Sequence, residues 1–158
     1  MPLHARVVLL VLGVALVVAT AGCGGSIAPV VPKPGDPTLL GARKVTAAKV
    51  TISPKVAADR SKNGVLVDNE IPRKLEEAIM ASMGLGNHAD PSGGMTLEVE
   101  ITQLRISRWT PANTMISTTR VLDRNGNELK SFESVSVSSR PSVWVLVNDL
   151  LRRIVDKV

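Results

Sequence analysis

Met95–Ser138 reads MTLEVEITQLRISRWTPANTMISTTRVLDRNGNELKSFESVSVS, and the pattern of this stretch decides the fold class. Leu97, Val99 and Ile101 alternate with Glu98 and Glu100, the period of a strand with one apolar face. The parity then reverses, because Leu104 and Ile106 are even-numbered. A regular strand cannot bury both sets. A β-bulge near Thr102-Gln103 restores the register by inserting one residue. Two further β-rich runs, Ala112–Asp123 and Glu128–Ser138, flank Asp123-Arg124-Asn125-Gly126-Asn127, and Asn-Gly between such runs marks a hairpin. Two registers compete. A two-residue turn pairs Leu122 with Leu129 and Ile116 with Val135. A three-residue loop with Gly126 as a left-handed bulge pairs Val121 with Leu129 and sets Arg120 against Lys130, a like-charge pair that is mildly unfavourable.

Working outward, Lys44–Ser53 (KVTAAKVTIS) reads as a strand closed by Pro54. Val65–Val67 is a second short strand or an entry to the next element. Asp68–Met83 reads as a helix capped by Asp68 or Asn69, with Pro72 in its first turn and Gly84 as its stop. Ile71, Leu75, Ala78, Ile79 and Ser82 or Met83 make its buried stripe. Gly84–Gly94 is a glycine-rich loop. Pro141–Val158 is a final helix preceded by Ser139 or Arg140, with an inner stripe of Val143, Val147, Leu150, Ile154 and Val158, widened by Leu146 and Leu151. The order β-α-β-β-β-α predicts an α+β two-layer sandwich, a mainly antiparallel sheet with both helices on one face.

The N-terminus is of another kind. Val7–Thr20 (VVLLVLGVALVVAT) is an uncharged apolar run behind a short basic start, and small residues follow it. This is the pattern of a secretory signal, and it is too short to span a bilayer as a helix. Thr20-Ala21-Gly22-Cys23, followed by Gly24-Gly25, resembles the bacterial lipobox, although Thr20 stands where Leu is commonest. A rival cleavage of A-x-A type after Ala19-Thr20-Ala21 would release a chain starting at Gly22. The lipobox resemblance implies cleavage before Cys23, acyl groups such as palmitate on Cys23, and, with Gly rather than Asp at position 24, the periplasmic side of the outer membrane. Cys23 is the chain's single cysteine, so no internal disulfide competes for its thiol. Gly24–Arg43 holds Pro29, Pro32, Pro34 and Pro37 and reads as a semi-rigid linker. The chain thus divides into a signal peptide at 1–22, a lipidated Cys and tether at 23–43, and one domain at 44–158.

Little in the domain points to catalysis. Outside the leader the one histidine is His88, in the glycine-rich loop, where Asp90 is its only near partner for acid–base work. Glu98 and Glu100 share a strand face as paired carboxylates can, and they read better as a solvated surface. No phosphate-binding loop, nucleophile elbow or zinc motif is present. No cofactor or metal is expected, and nothing in the chain singles out a catalytic residue. The formal net charge is +5. Arg105, Arg108, Arg120 and Arg124 lie on neighbouring β segments and are candidates for a basic patch against an anionic envelope surface. Nucleic acid is not an expected partner, since export removes the chain from it and no aromatic residues interleave these arginines. Trp109, before Thr110-Pro111, marks a strand end; it is either a core residue or, if exposed, a candidate contact for a protein partner.

Signal, lipidated Cys, tether and small α+β domain together resemble the small, mostly uncharacterised envelope lipoproteins of proteobacteria. That resemblance implies a non-enzymatic accessory or assembly subunit, anchored by its N-terminal lipid, that binds a protein partner or an envelope polymer. The alternatives are a lipid carrier of an envelope transport system and an envelope enzyme.

Overall fold

A computed structural model describes residues 26–28, 45–84, 94–109 and 112–158. Cys23, His88 and Asp90 lie outside the described residues. The elements are β1 (Val45–Ile52), α1 (Pro54–Ala57), α2 (Arg60–Asp68), α3 (Ile71–Gly84), β2 (Met95–Arg105), β3 (Asn113–Leu122), β4 (Glu128–Ser138) and α4 (Val143–Val155). The strands form one sheet in the order β1-β2-β3-β4. β2, β3 and β4 are an antiparallel meander, and β1 runs parallel to β2. A parallel neighbour needs a long crossover, and α1 to α3 supply it. The α+β two-layer sandwich read from the sequence is the architecture found.

Two details of the strands follow from their residues. The β2–β3 register shifts between Ile101 and Gln103, the bulge that the parity reversal of Leu97/Val99/Ile101 against Leu104 requires. All four of these side chains are buried. The hairpin resolves the competing registers by using part of each. Gly126 has φ 83 and closes the turn by donating its N–H to the Asp123 carbonyl at 3.0 Å, which is the three-residue loop. A second shift between Val121 and Leu122 then restores the pairing of Ile116 with Val135. Arg120 faces Ser131 rather than Lys130, so the like-charge pair never forms.

The helices depart from expectation at the first crossover. Val65–Val67 is neither strand nor entry but part of α2, with Leu66 fully buried. Asp68 ends α2 instead of capping the following helix, and Asn69 donates its amide back to the Val65 carbonyl at 2.8 Å. Capping explains both short helices. Ser53 accepts from the Val56 N–H ahead of Pro54, and Asp59 accepts from the Lys62 N–H, each relieving an orphan helix donor. Pro141 lies before the last helix rather than in its first turn, and Ser142 takes the cap position without a side-chain bond.

The core lies between the helix layer and one face of the sheet. α3 covers the β1 side, through Ile71, Leu75, Ala78 and Ile79, and α4 covers β3 and β4, through Leu146, Val147, Leu150, Leu151 and Ile154. The inner face beneath α4 is not aliphatic throughout. Ser117, Thr119, Ser134 and Ser136 are buried there beside Met115 and Val121. The C-terminal end of α4 is fastened to β4, where Lys130 and Lys157 both stand over the Phe132 ring at 5.2 and 5.5 Å. Among the described residues no helix is long and apolar enough to cross a membrane.

Candidate interaction surface

Because both long helices pack on one face, the opposite face of the sheet has no cover. Its side chains run in rows across the strands, set by the register. One row is Lys49, Glu98, Arg120 and Ser131, and the next is Thr51, Glu100, Thr118 and Glu133. Arg120 donates to Glu98 at 2.6 Å. Lys49, Thr51, Glu98, Glu100, Thr118 and Arg120 line a shallow trough of about 320 Å³. Two cations and two carboxylates meet in it, so it has no strong sign of charge. Glu98 is held in an ion pair, and Glu100 stands opposite Thr51 and Thr118 on the neighbouring strands. Among the described residues no group of three His, Cys, Asp or Glu is set to hold a metal.

At the other end of the same face aliphatic side chains stand among polar ones. Gln103, Ile116 and Val135 form one row, and Arg105, Thr114 and Val137 form the row beyond it. Val137 is 57% exposed, and Trp109, in the connection between β2 and β3, is 93% exposed. The Trp109 N–H is bonded to the Ser107 hydroxyl at 3.1 Å, and the Ser107 N–H to the Asn113 side chain at 2.7 Å. The backbone that presents the indole is therefore anchored, while its ring meets solvent. A nearly fully exposed Trp, in the connection at the end of the sheet that carries the exposed Val137, is the composition of a contact point rather than of an ordinary wet face.

The four arginines do not gather into one patch. Arg105 is level with Thr114 on β3, and Arg120 lies six residues further along that strand, a separation of roughly 20 Å. Arg105 and Arg108 accompany Trp109 at one end. Arg120 is committed to Glu98, and Arg124 stands in the hairpin turn at the other end. Sequence proximity placed them on adjacent strands, but antiparallel pairing carried them apart.

No protein-family model matches this chain, and no curated protein matches it. Among solved structures it is similar to a PelC dodecamer variant from Paraburkholderia phytofirmans, at 13% identity over 73% of this chain and 89% of that one, with TM-score 0.44. It is similar also to the lipoprotein GNA1162 from Neisseria meningitidis, at 16% identity over 70% of this chain and 96% of that one, with TM-score 0.29. A third is a putative neuraminyllactose-binding hemagglutinin homolog from Helicobacter pylori, at 10% identity, 82% and 87% coverage and TM-score 0.29.

One contact lies on the far side of the molecule and was not legible in the sequence. Residues Ser26–Ala28, within the stretch read as tether, rest against α4. The Ala28 N–H donates to the Asn148 side-chain oxygen at 3.1 Å, and the Asn148 amide donates to the Ser26 carbonyl at 3.3 Å and to the Trp144 carbonyl at 2.8 Å. Ile27 between them packs on the core, partly buried. No local signal marks Asn148 for this role, since a polar residue on the flank of an amphipathic helix is ordinary.

Proposed function

We propose that this protein is a lipid-anchored accessory subunit of the bacterial envelope, held through Cys23 on the periplasmic side of the outer membrane, which uses its uncovered sheet face to bind a protein partner. The observation that carries the binding role is the exposure of Trp109, in the connection at the end of the sheet where Ile116, Val135 and Val137 lie on a face that no long helix covers. Burial of such a cluster supplies the apolar centre of an interface, with Arg105 and Arg108 at its rim. The lipobox-like Thr20-Ala21-Gly22-Cys23 supports the anchor. Several acyl chains hold a protein where one alone binds marginally.

The test is in-cell photocrosslinking from position 137. One dominant crosslinked partner is expected, lost in the Trp109→Ala variant. A partner yield unchanged by Trp109→Ala removes this surface from the reading. Cys23→Ala leaves unprocessed precursor and abolishes fatty-acid labelling, and normal labelling of that variant overturns the anchor.

A further inference from the structure

The geometry points to a second, oriented surface: the outer flank of α4 around Asn148 seats the N-terminal segment and is thereby held against the bilayer. This deepens the proposed function and rests on its reading of Cys23 as the anchor.

The argument begins with the amide of Asn148. Its oxygen accepts from residue 28 and its nitrogen donates to residue 26, so one side chain pairs with the N–H and C=O of an extended backbone as a neighbouring strand would. The third bond, to the Trp144 carbonyl, fixes which end of the amide carries the donors. With both donors and the acceptor engaged, the side chain is complete only while Ser26–Ala28 is in place. Ile27 adds apolar contact to the same seat.

Chain length then turns this seat into an orientation. Ile27 is four steps along the chain from Cys23, so their Cα atoms are at most about 14 Å apart. Were the linker free up to Val45, its 22 residues would reach roughly 70 Å at polyproline spacing, and any face of the domain would be able to approach the lipid. Seated at Asn148, the chain keeps the acylated Cys23 within one short step of α4. The residues presented there suit headgroups. Trp144 is half-buried with Lys74 over its ring at 5.0 Å, Val145 is 38% exposed, and Arg152 is exposed and makes no ion pair among the described residues. Together with Asn148 and Asp149 they line a shallow depression of about 360 Å³. Asp149 is paired with Arg153 at 2.8 Å and Lys74 with Glu70 at 3.7 Å, leaving Arg152 as the cation of this flank that no carboxylate among the described residues pairs. An indole with flanking cations is the side-chain set found at membrane–water boundaries. The helix layer then lies between bilayer and sheet, and the face bearing Trp109 and Val137 points away from the membrane.

The full acylated protein in phosphatidylethanolamine–phosphatidylglycerol vesicles tests this. Acylation occupies Cys23, so a cysteine introduced by Val145→Cys or by Val137→Cys carries the one free thiol and takes a fluorophore uniquely. A headgroup-attached quencher should quench the probe at 145 several-fold more than the probe at 137. Adding Asn148→Ala should bring the two together while circular dichroism stays unchanged. Hydrogen exchange of the same vesicle-bound protein should show the Ala28 amide protected, with protection falling about five- to tenfold in Asn148→Ala. Protein that floats with the vesicles but shows equal quenching at 145 and 137 overturns the orientation while leaving the anchor intact. Protein that fails to float overturns the anchor reading, and the orientation with it.

Discussion

Ser117 and Ser134 stand directly opposite each other on β3 and β4, fully buried beneath α4, and neither hydroxyl has a hydrogen-bond partner among the described residues. Thr119 and Ser136 beside them are in the same condition. Ser82 in α3 shows the usual alternative, buried yet donating to the Ala78 carbonyl at 2.7 Å. A buried hydroxyl without a partner loses its hydration and gains nothing in return. What these residues offer is small volume, which lets the large aliphatic side chains of α4 settle onto the sheet.

Ser117→Ala and Ser134→Ala are therefore expected to stabilise the domain, each by about 1 kcal/mol. Urea unfolding at neutral pH checks it. A loss of stability would show that the hydroxyls are engaged after all. Ser134→Val, which adds volume under α4, should destabilise instead.

Gly64 lies in the middle of α2, and a Cβ added there would meet only the Asp68 carboxylate at 3.6 Å, ordinary contact. Glycine loses more backbone entropy on folding than alanine. Gly64→Ala should raise stability by roughly 0.5–1 kcal/mol, read as an increase in the thermal midpoint. At Gly94 the same change should destabilise, because the new Cβ would fall 2.6 Å from the Thr46 hydroxyl oxygen.

Glu70 is the one non-glycine residue with positive φ, at 53, among those described. It turns the chain from α2 into α3, and its carboxylate meets Arg73 at 3.0 Å and Lys74 at 3.7 Å. Alanine there keeps the left-handed strain and loses the pairs, whereas glycine loses the pairs and removes the strain. Glu70→Gly should melt above Glu70→Ala in differential scanning calorimetry. The reverse order would show that the backbone at 70 relaxes without cost.

Acid should weaken the carboxylate contacts of the first crossover. A hydrogen bond from the Lys62 side chain, then one from its backbone N–H, holds the Asp59 carboxyl below its usual value. Arg73 does the same for Glu70, by hydrogen bonding and then by charge. For a depressed carboxyl, the stabilisation is complete above the unfolded-state pKa and is lost as pH falls through the lower folded value. Stability should accordingly be flat near neutrality and decline below about pH 4. Asp59→Asn should flatten part of that decline in urea midpoints measured against pH. An unaltered pH profile in this variant would remove Asp59 from the account.

Much of the sandwich was legible because alternation and helical stripes are local consequences of burying one face. Leu97 to Leu104 even disclosed the bulge, since the parity of apolar residues has no other use for an extra residue. α2 was harder. Its apolar residues are few, Asn63 and Gly64 interrupt it, and the cap at Asp59 is its one local sign. The candidate surface was half-visible, with Trp109 marked by its neighbours and the arginines grouped wrongly.

Residues alone thus determined the alternation, the bulge, the existence of a hairpin at Asn125-Gly126 and the motif at Cys23, all of which depend on neighbours a few positions apart, while the register of that hairpin was left to the structure. Only the tertiary structure decided that β1 runs parallel to β2, that Arg105 and Arg120 part company, that four hydroxyls lie under α4, and that Asn148 meets Ser26 and Ala28. Each of those joins positions far apart in the chain, and which distant segments meet is set by the packing of whole layers, which no local pattern encodes.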